Sequence, residues 1–104
     1  MVRIAVMFPN VQEKHFDADY YRNKHLPLVK EKYSQHGLQA VQIDTALTTS
    51  GKHAAPYVAI GYMLFESINQ FMQAFEADGK SLMDDIVNFT DIEPIVQISQ
   101  SDSI

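Results

Sequence analysis

Apolar and polar positions along the chain switch between a two-residue period and a period near 3.6, and the switches divide it into strands and helices. Val2, Ile4, Val6 and Phe8 share one face of a first strand; Arg3, Ala5 and Met7 share the other, which is also mostly apolar. A polar connection from Pro9 to His15 leads to a helix predicted over about Asp17 to Gln35, with Asp17 as N-cap and Asp19 in the first turn. Lys30 and Lys32 lie toward its C-terminal end, which suits the helix dipole, and Gly37 is placed to end it. Wound at 100° per residue, Tyr21, His25, Leu28, Val29 and Lys32 fall on one side, and Leu28 and Val29 mark that side as buried.

Leu38 to Thr48 alternates Val41, Ile43 and Leu47 against Gln42, Asp44 and Ala46, the pattern of a half-buried strand near an edge. The stretch from Thr48 to Ala55 is turn-rich and predicts a surface loop, and Tyr57 to Phe65 is a strand apolar on both faces. Ser67 and Gln70 form a capping-box pattern ahead of the stripe Ile68, Phe71, Met72 and Phe75. Asp78-Gly79 reads as the end of that helix and Lys80 to Val87 as a further short helical piece burying Leu82, Met83 and Ile86. Asn88 to Glu93 reads as a loop. Pro94 to Gln100 is a last strand, alternating Val96 and Ile98 with Gln97 and Ser99, and Ser101 to Ile104 is a loose tail.

The resulting order is β-α-β-β-α-β, an α+β, ferredoxin-like arrangement with a four-stranded antiparallel sheet. Right-handed crossovers put the first and third strands in the middle, in agreement with their two apolar faces. Two helices cover one face of such a sheet. A second copy of the chain is the expected cover for the other, which makes the protein a homodimer through its sheet faces.

The length of 104 residues fits one domain, 1–104, and 46% hydrophobic with 20% charged residues is the composition of a folded chain. A net charge of −5 without a basic run argues against nucleic acid or an anionic membrane as partner. There is no cysteine, hence no disulfide and no thiolate chemistry. The N-terminal strand is too short and too alternating for a signal peptide, and no apolar run reaches membrane-spanning length, so a cytoplasmic protein is expected.

The segment from Phe16 to Val29 is where the chain concentrates its chemistry. His25 lies on the buried arc one turn after Tyr21, and imidazole is suited to moving a proton near neutral pH. Tyr20 or Tyr21 could bond to it or to a ligand oxygen. Pro27 interrupts the helix at a cost of about 3 kcal/mol in an ordinary interior. Two readings stand: a kink that places His25 over a cavity, or a buried histidine bonded to a freed backbone carbonyl. His53 reads as a solvated loop residue, and His15 and His36 as surface residues flanking the helix. Asp84-Asp85 reads as a solvated helical face rather than a carboxylate pair. Met63, Met72, Met83, Phe71 and Phe75 read as core, with a ligand-pocket lining as the alternative. No spacing supports a metal site, and no glycine loop supports a nucleotide cofactor.

Three stretches together resemble the EthD family, named for a protein required in bacterial degradation of an ethyl tert-butyl ether. They are Tyr20 to Leu28 with its aromatic-x₃-His-x-Pro-Leu element, Tyr57 to Phe65 with the Ser67-led helix, and Asp85 to Pro94 with its Asn-Phe-Thr-Asp segment. The resemblance implies a ferredoxin-like domain that dimerises sheet to sheet into a dimeric α+β barrel. Similar barrels include cofactor-free monooxygenases, polyketide cyclases and lactone isomerases, and only His25, Tyr21 and Tyr20 carry over as site candidates. The expected function is binding of a small apolar or aromatic carbonyl or phenolic compound, with cofactor-independent oxidation, cyclisation or isomerisation using His25 as base. The alternatives are a non-catalytic accessory that supports a partner oxygenase, and a purely structural dimer module.

Overall fold

The computed structural model describes residues 1–104. β1 (Val2–Pro9) and β3 (Tyr57–Phe65) pair antiparallel at the centre of the sheet, flanked by β2 (Leu38–Thr45) and β4 (Ile95–Gln100) in the order β2-β3-β1-β4. All three pairings are antiparallel. Side chains on one pleat therefore share a face: Ile4 lies opposite Met63 and Ile98, and Val6 opposite Gly61 and Val96. That face carries Val2, Ile4, Phe8, Ala59 and Phe65, all buried under the helices. The topology and the central position of β1 and β3 are those predicted from the element order and right-handed crossovers, and their two apolar faces agree.

The first helix runs from Ala18 to His36 without a break, in four successive geometries. Ala18–Tyr20 is α-helical, Tyr21–His25 is a π-turn, Leu26–Tyr33 is α-helical again and Ser34–His36 closes as a 3₁₀ turn. Asp17 caps its start, its side chain accepting from the Tyr20 N–H, and Gly37 ends it with φ of 93°. Pro27 neither breaks nor splits the helix. The Leu26 N–H bonds to the Tyr21 carbonyl five residues back, so a wide turn directly precedes the residue that has no N–H to give. Proline then falls in the first turn of the following α-helical piece, where the lost donor costs little.

The second helix, Ile68–Asp84, is capped by Ser67, whose hydroxyl accepts from the Gln70 N–H, while the Gln70 side chain accepts from the Glu66 N–H. It differs from expectation at Gly79, which does not end it: the helix continues to Asp84 and is followed by a 3₁₀ turn, Ile86–Asn88. The Phe75 ring explains the glycine. A Cβ at Gly79 would lie 2.5 Å from Phe75 Cδ1, so the missing side chain is the space this ring occupies. β2 ends at Thr45 rather than Thr48, and Leu47 is fully exposed beyond it.

Two clusters of buried apolar residues fill the layer between sheet and helices. One joins Val2, Ile4, Val29, Tyr33, Phe65, Phe71, Ala74 and Leu82; the other joins Phe8, Tyr21, Ala59, Phe89 and Ile92. The helical layer parts over β4. Met72, Phe75 and Met83 on the second helix and Val96 and Ile98 on β4 stay about half exposed around that opening, although the stripe predicted Met72, Met83 and Phe75 as core. The opposite sheet face, with Ala5, Met7, Val58, Ile60, Leu64 and Ile95, has no helix over it.

Candidate functional site

The wide turn sets the geometry of the site. Tyr21 and His25 are four residues apart, and the turn brings their rings nearly parallel, 17° between planes and 5.6 Å between centroids. Both are buried, at 2% and 6% exposure, and both lie on the wall of a cavity of about 430 Å³ between sheet and helices. That volume suits a small ligand. The remaining wall is almost wholly apolar, from Ile4, Val6 and Phe8 on β1 to Leu82 and Met83 on the second helix.

The opposite edge of the His25 ring meets Asp85. His25 Nδ1 lies 2.9 Å from Asp85 Oδ2, and Asp85 Oδ1 accepts from the Tyr20 hydroxyl at 2.8 Å and from Asn88 Nδ2 at 2.9 Å. A carboxylate can only accept, so Nδ1 carries the proton and neutral His25 presents Nε2 as an acceptor. Nε2 makes no hydrogen bond to the chain, and His25 itself lines the cavity.

The Asp85 acidity follows from its partners. Desolvation alone would push the carboxyl up, but hydrogen bonds from Asn88, His25 and Tyr20 outweigh it and hold the group below the usual carboxylate range. The Tyr20 phenol moves the other way, because its hydrogen bond to the Asp85 carboxylate favours the protonated form. Burial raises the Tyr21 phenol well above its ordinary value, so its hydroxyl remains a donor. Tyr33, also on the wall, is pushed up to about 12 by burial and by the Asp78 charge.

Asp85 reaches His25 because its segment is stitched to the lead-in of the first helix. The Asp17 N–H donates to the Phe89 carbonyl at 2.7 Å, the His15 N–H donates to Asp91 Oδ1 at 2.8 Å, and the Thr90 hydroxyl bonds to the His15 carbonyl. Phe89 fills the space beneath. It is fully buried, with the rings of Phe8, Phe16, Tyr20, Tyr21 and His25 at 4.8 to 6.1 Å. Such aromatic pairs contribute roughly 0.5–1.5 kcal/mol each beyond their buried area.

Of the predicted site residues, His25 and Tyr21 come together on the cavity. Tyr20 stands behind His25, bonded to Asp85 and half-buried with its ring stacked on Phe89. Asp85 is the main correction. Its side chain is 14% exposed and holds His25, whereas Asp84, 66% exposed, pairs with Lys80 as a solvated helical face would. The placement of Asp85 in the turn after the second helix, rather than on a separate short helix, is what aims it inward. Asn88, which donates to Asp85, was also missed, and the Asn-Phe-Thr-Asp segment was the available signal for it. His53 is exposed in its loop, His15 is exposed, and His36 lies 3.3 Å from Asp78 across the helices; none reaches the cavity. No group of three or more metal-binding side chains is gathered anywhere in the chain.

Asp85 makes acid stability a test of this network. Its folded pKa lies below that of the unfolded chain, so its contribution is complete above the ordinary carboxylate value of 3.8 and is lost as pH falls through the folded value. The unfolding free energy of the wild type should therefore fall on acidification below about pH 4, and Asp85→Asn should flatten part of that slope. Urea titrations at a series of pH values read the difference. An unchanged slope would show that Asp85 is as free in the folded protein as in the unfolded chain.

Comparison with known proteins agrees with this architecture. A model of the EthD domain matches residues 9–93. No curated protein matches the chain. Among solved structures, an EthD-like protein from Ralstonia eutropha JMP134 is 31% identical, with a TM-score of 0.86 over 95% of this chain and 89% of that one. An ethyl tert-butyl ether D family protein from Bacillus halodurans C-125 is 17% identical, with a TM-score of 0.66 over 98% of this chain and 99% of the other. A candidate monooxygenase from Shewanella loihica PV-4 is 14% identical, with a TM-score of 0.66 over 99% of this chain and 95% of that one, a likeness of fold. A family model that spans most of the chain, together with the 31% identical structure, settles its membership: the chain belongs to the EthD family.

Proposed function

We propose that the protein binds a small, largely apolar carbonyl or phenolic compound in the cavity and that His25, held by Asp85, removes a proton from it. The observation that carries this reading is the His25–Asp85 pair on the wall of an otherwise apolar cavity of about 430 Å³. A base needs an unengaged nitrogen, a fixed tautomer and a partner for the charge it acquires. Nε2, the Nδ1 bond and the Asp85 carboxylate supply these three in turn. The proton step serves oxidation, cyclisation or isomerisation alike, and the candidate-monooxygenase name of the Shewanella loihica relative is compatible with the first.

Titration with 2-naphthol and 2-tetralone, followed by amide and imidazole NMR shifts, tests the reading. Both are apolar and carry one oxygen. The expected result is saturable shifts at Tyr21, His25 and Val29, with affinity weakened about tenfold or more by Met83→Trp, which narrows the mouth at a half-exposed position. No shift at those residues with either compound at millimolar concentration would overturn it. Binding with no protein-dependent exchange of the 2-tetralone α-protons with solvent would favour an accessory that presents a ligand to a partner oxygenase.

The same reading takes the protein as a homodimer joined through the uncovered sheet face. Val58, Ile60 and Leu64 lie there beside Arg3, whose Nε is buried without a hydrogen-bond partner and whose guanidinium lies 5.6 Å from the Tyr62 ring centre. Light scattering should give twice the chain mass at micromolar concentration, and Ile60→Glu should give a folded monomer. A wild-type monomer at that concentration would contradict the dimer.

A further inference from the structure

We infer, resting on the reading just proposed, that the ligand is an uncharged enolisable carbonyl compound: the Tyr21 hydroxyl donates to its carbonyl oxygen while His25 Nε2 takes a proton from the adjacent carbon. The chemistry native to the site is then a proton shift between keto and enol forms.

The placement of the Tyr21 hydroxyl comes from Gly61. A Cβ built on Gly61 would lie 2.0 Å from the Tyr21 hydroxyl oxygen and 3.2 Å from Cζ, so the tip of the phenol rests directly on the β3 backbone in space that only glycine leaves. No real side chain tolerates a 2.0 Å approach, and the clash involves a packed ring rather than a mobile chain end. Tyr21 is held from below by Phe8, Phe16 and Phe89, at 5.0 to 5.4 Å between ring centres, and cannot swing away cheaply. Its hydroxyl has no hydrogen-bond partner in the chain and lies on the same wall as His25. A buried phenol is an O–H donor throughout the neutral range. The cavity lining thus includes one fixed donor, on Tyr21, and one fixed acceptor, on His25, with ring centres 5.6 Å apart.

Charge narrows the ligand class further. No lysine, arginine, aspartate or glutamate lines the cavity. A ligand with a permanent carboxylate, phosphate or ammonium would lose its hydration without gaining a counter-ion, a penalty of several kcal/mol. A negative charge made inside the cavity is different, because its formation charges His25, and the imidazolium is already paired with Asp85.

The step balances without a co-reactant. The C–H bond beside the carbonyl breaks and its proton bonds to Nε2. The electron pair becomes the C=C bond of an enolate whose oxygen accepts from Tyr21, and Nε2 then returns the proton to the oxygen or to carbon. Nothing is oxidised or reduced. A neutral phenol fits less well: its single oxygen must meet both groups, and its deprotonation completes no turnover unless an oxidant follows. A carbonyl compound presents its oxygen and its acidic C–H on neighbouring atoms.

The test is deuterium incorporation from D₂O into C1 and C3 of 2-tetralone, followed by ¹H NMR alongside binding of the same compound. The wild type should exceed the buffer rate, and Tyr21→Phe, which keeps the ring in its aromatic cluster, should lower the protein-dependent rate by about 10²-fold, as loss of an oxyanion donor does. Its affinity for 2-tetralone should fall only a few-fold to about tenfold, as expected for the loss of one neutral hydrogen bond. Gly61→Ala should slow exchange similarly although Tyr21 is retained, with circular dichroism confirming the fold. Saturable binding with exchange at the buffer rate, or Tyr21→Phe exchanging as fast as wild type, would overturn this inference and leave the binding site standing. Absence of binding by both 2-tetralone and 2-naphthol would remove the site reading and this inference with it.

Discussion

The bond between His25 Nδ1 and Asp85 Oδ2 is the constraint on which the rest of the site depends. A buried imidazole needs a partner for its N–H, and a largely buried carboxylate needs donors for its oxygens; each satisfies the other. The Tyr20 hydroxyl and the Asn88 amide complete the Asp85 shell, and their donation keeps it ionised and acceptor-only. That in turn fixes which imidazole nitrogen carries the proton in the neutral ring. Were Asp85 turned to solvent, His25 could adopt either tautomer and the cavity would lose a defined acceptor.

Two features far from one another in sequence make the bond possible. The π-turn at Tyr21–His25 rotates the imidazole onto the cavity wall and absorbs the irregularity that Pro27 would otherwise impose. The Phe89–Asp91 segment, hydrogen-bonded to His15 and Asp17, carries Asp85 and Asn88 to the other side of that ring. Phe89 sits between, packed on both Tyr21 and His25. Wide turns of this kind are often found at functional sites because they aim a side chain that regular spacing would misplace. Here the same turn stacks Tyr21 on His25, and Gly61 leaves room for the phenol tip.

Much of the fold was legible because local period reports which face is buried. β1 and β3 read apolar on both sides and are the central strands; Asp17, Gly37 and Ser67 read as caps and act as caps. Gly79 misled for a physical reason: glycine punctuates helices when it supplies a left-handed residue, but this one supplies room for Phe75. The site was half legible. His25 and Tyr21 share one helical arc and could be paired from spacing alone. Asp85, sixty residues away, follows Asp84 in a charged run, and nothing local distinguishes the carboxylate that turns inward from the one that pairs with Lys80. The exposure of Met72, Phe75 and Met83 was equally hidden, because a helical stripe does not say whether the layer above β4 is closed.

The tautomer of His25 is the property on which its role as a base depends most directly. Long-range ¹H–¹⁵N correlation spectra of the imidazole ring, recorded at a pH where His25 is neutral, distinguish a protonated Nδ1 from a protonated Nε2. The structure predicts Nδ1–H, with the Nε2 resonance in the range of an unprotonated ring nitrogen, and a shift of that population in Asp85→Ala. A wild-type spectrum showing Nε2–H would mean that the cavity faces a donor, and the assignment of His25 as base would fall.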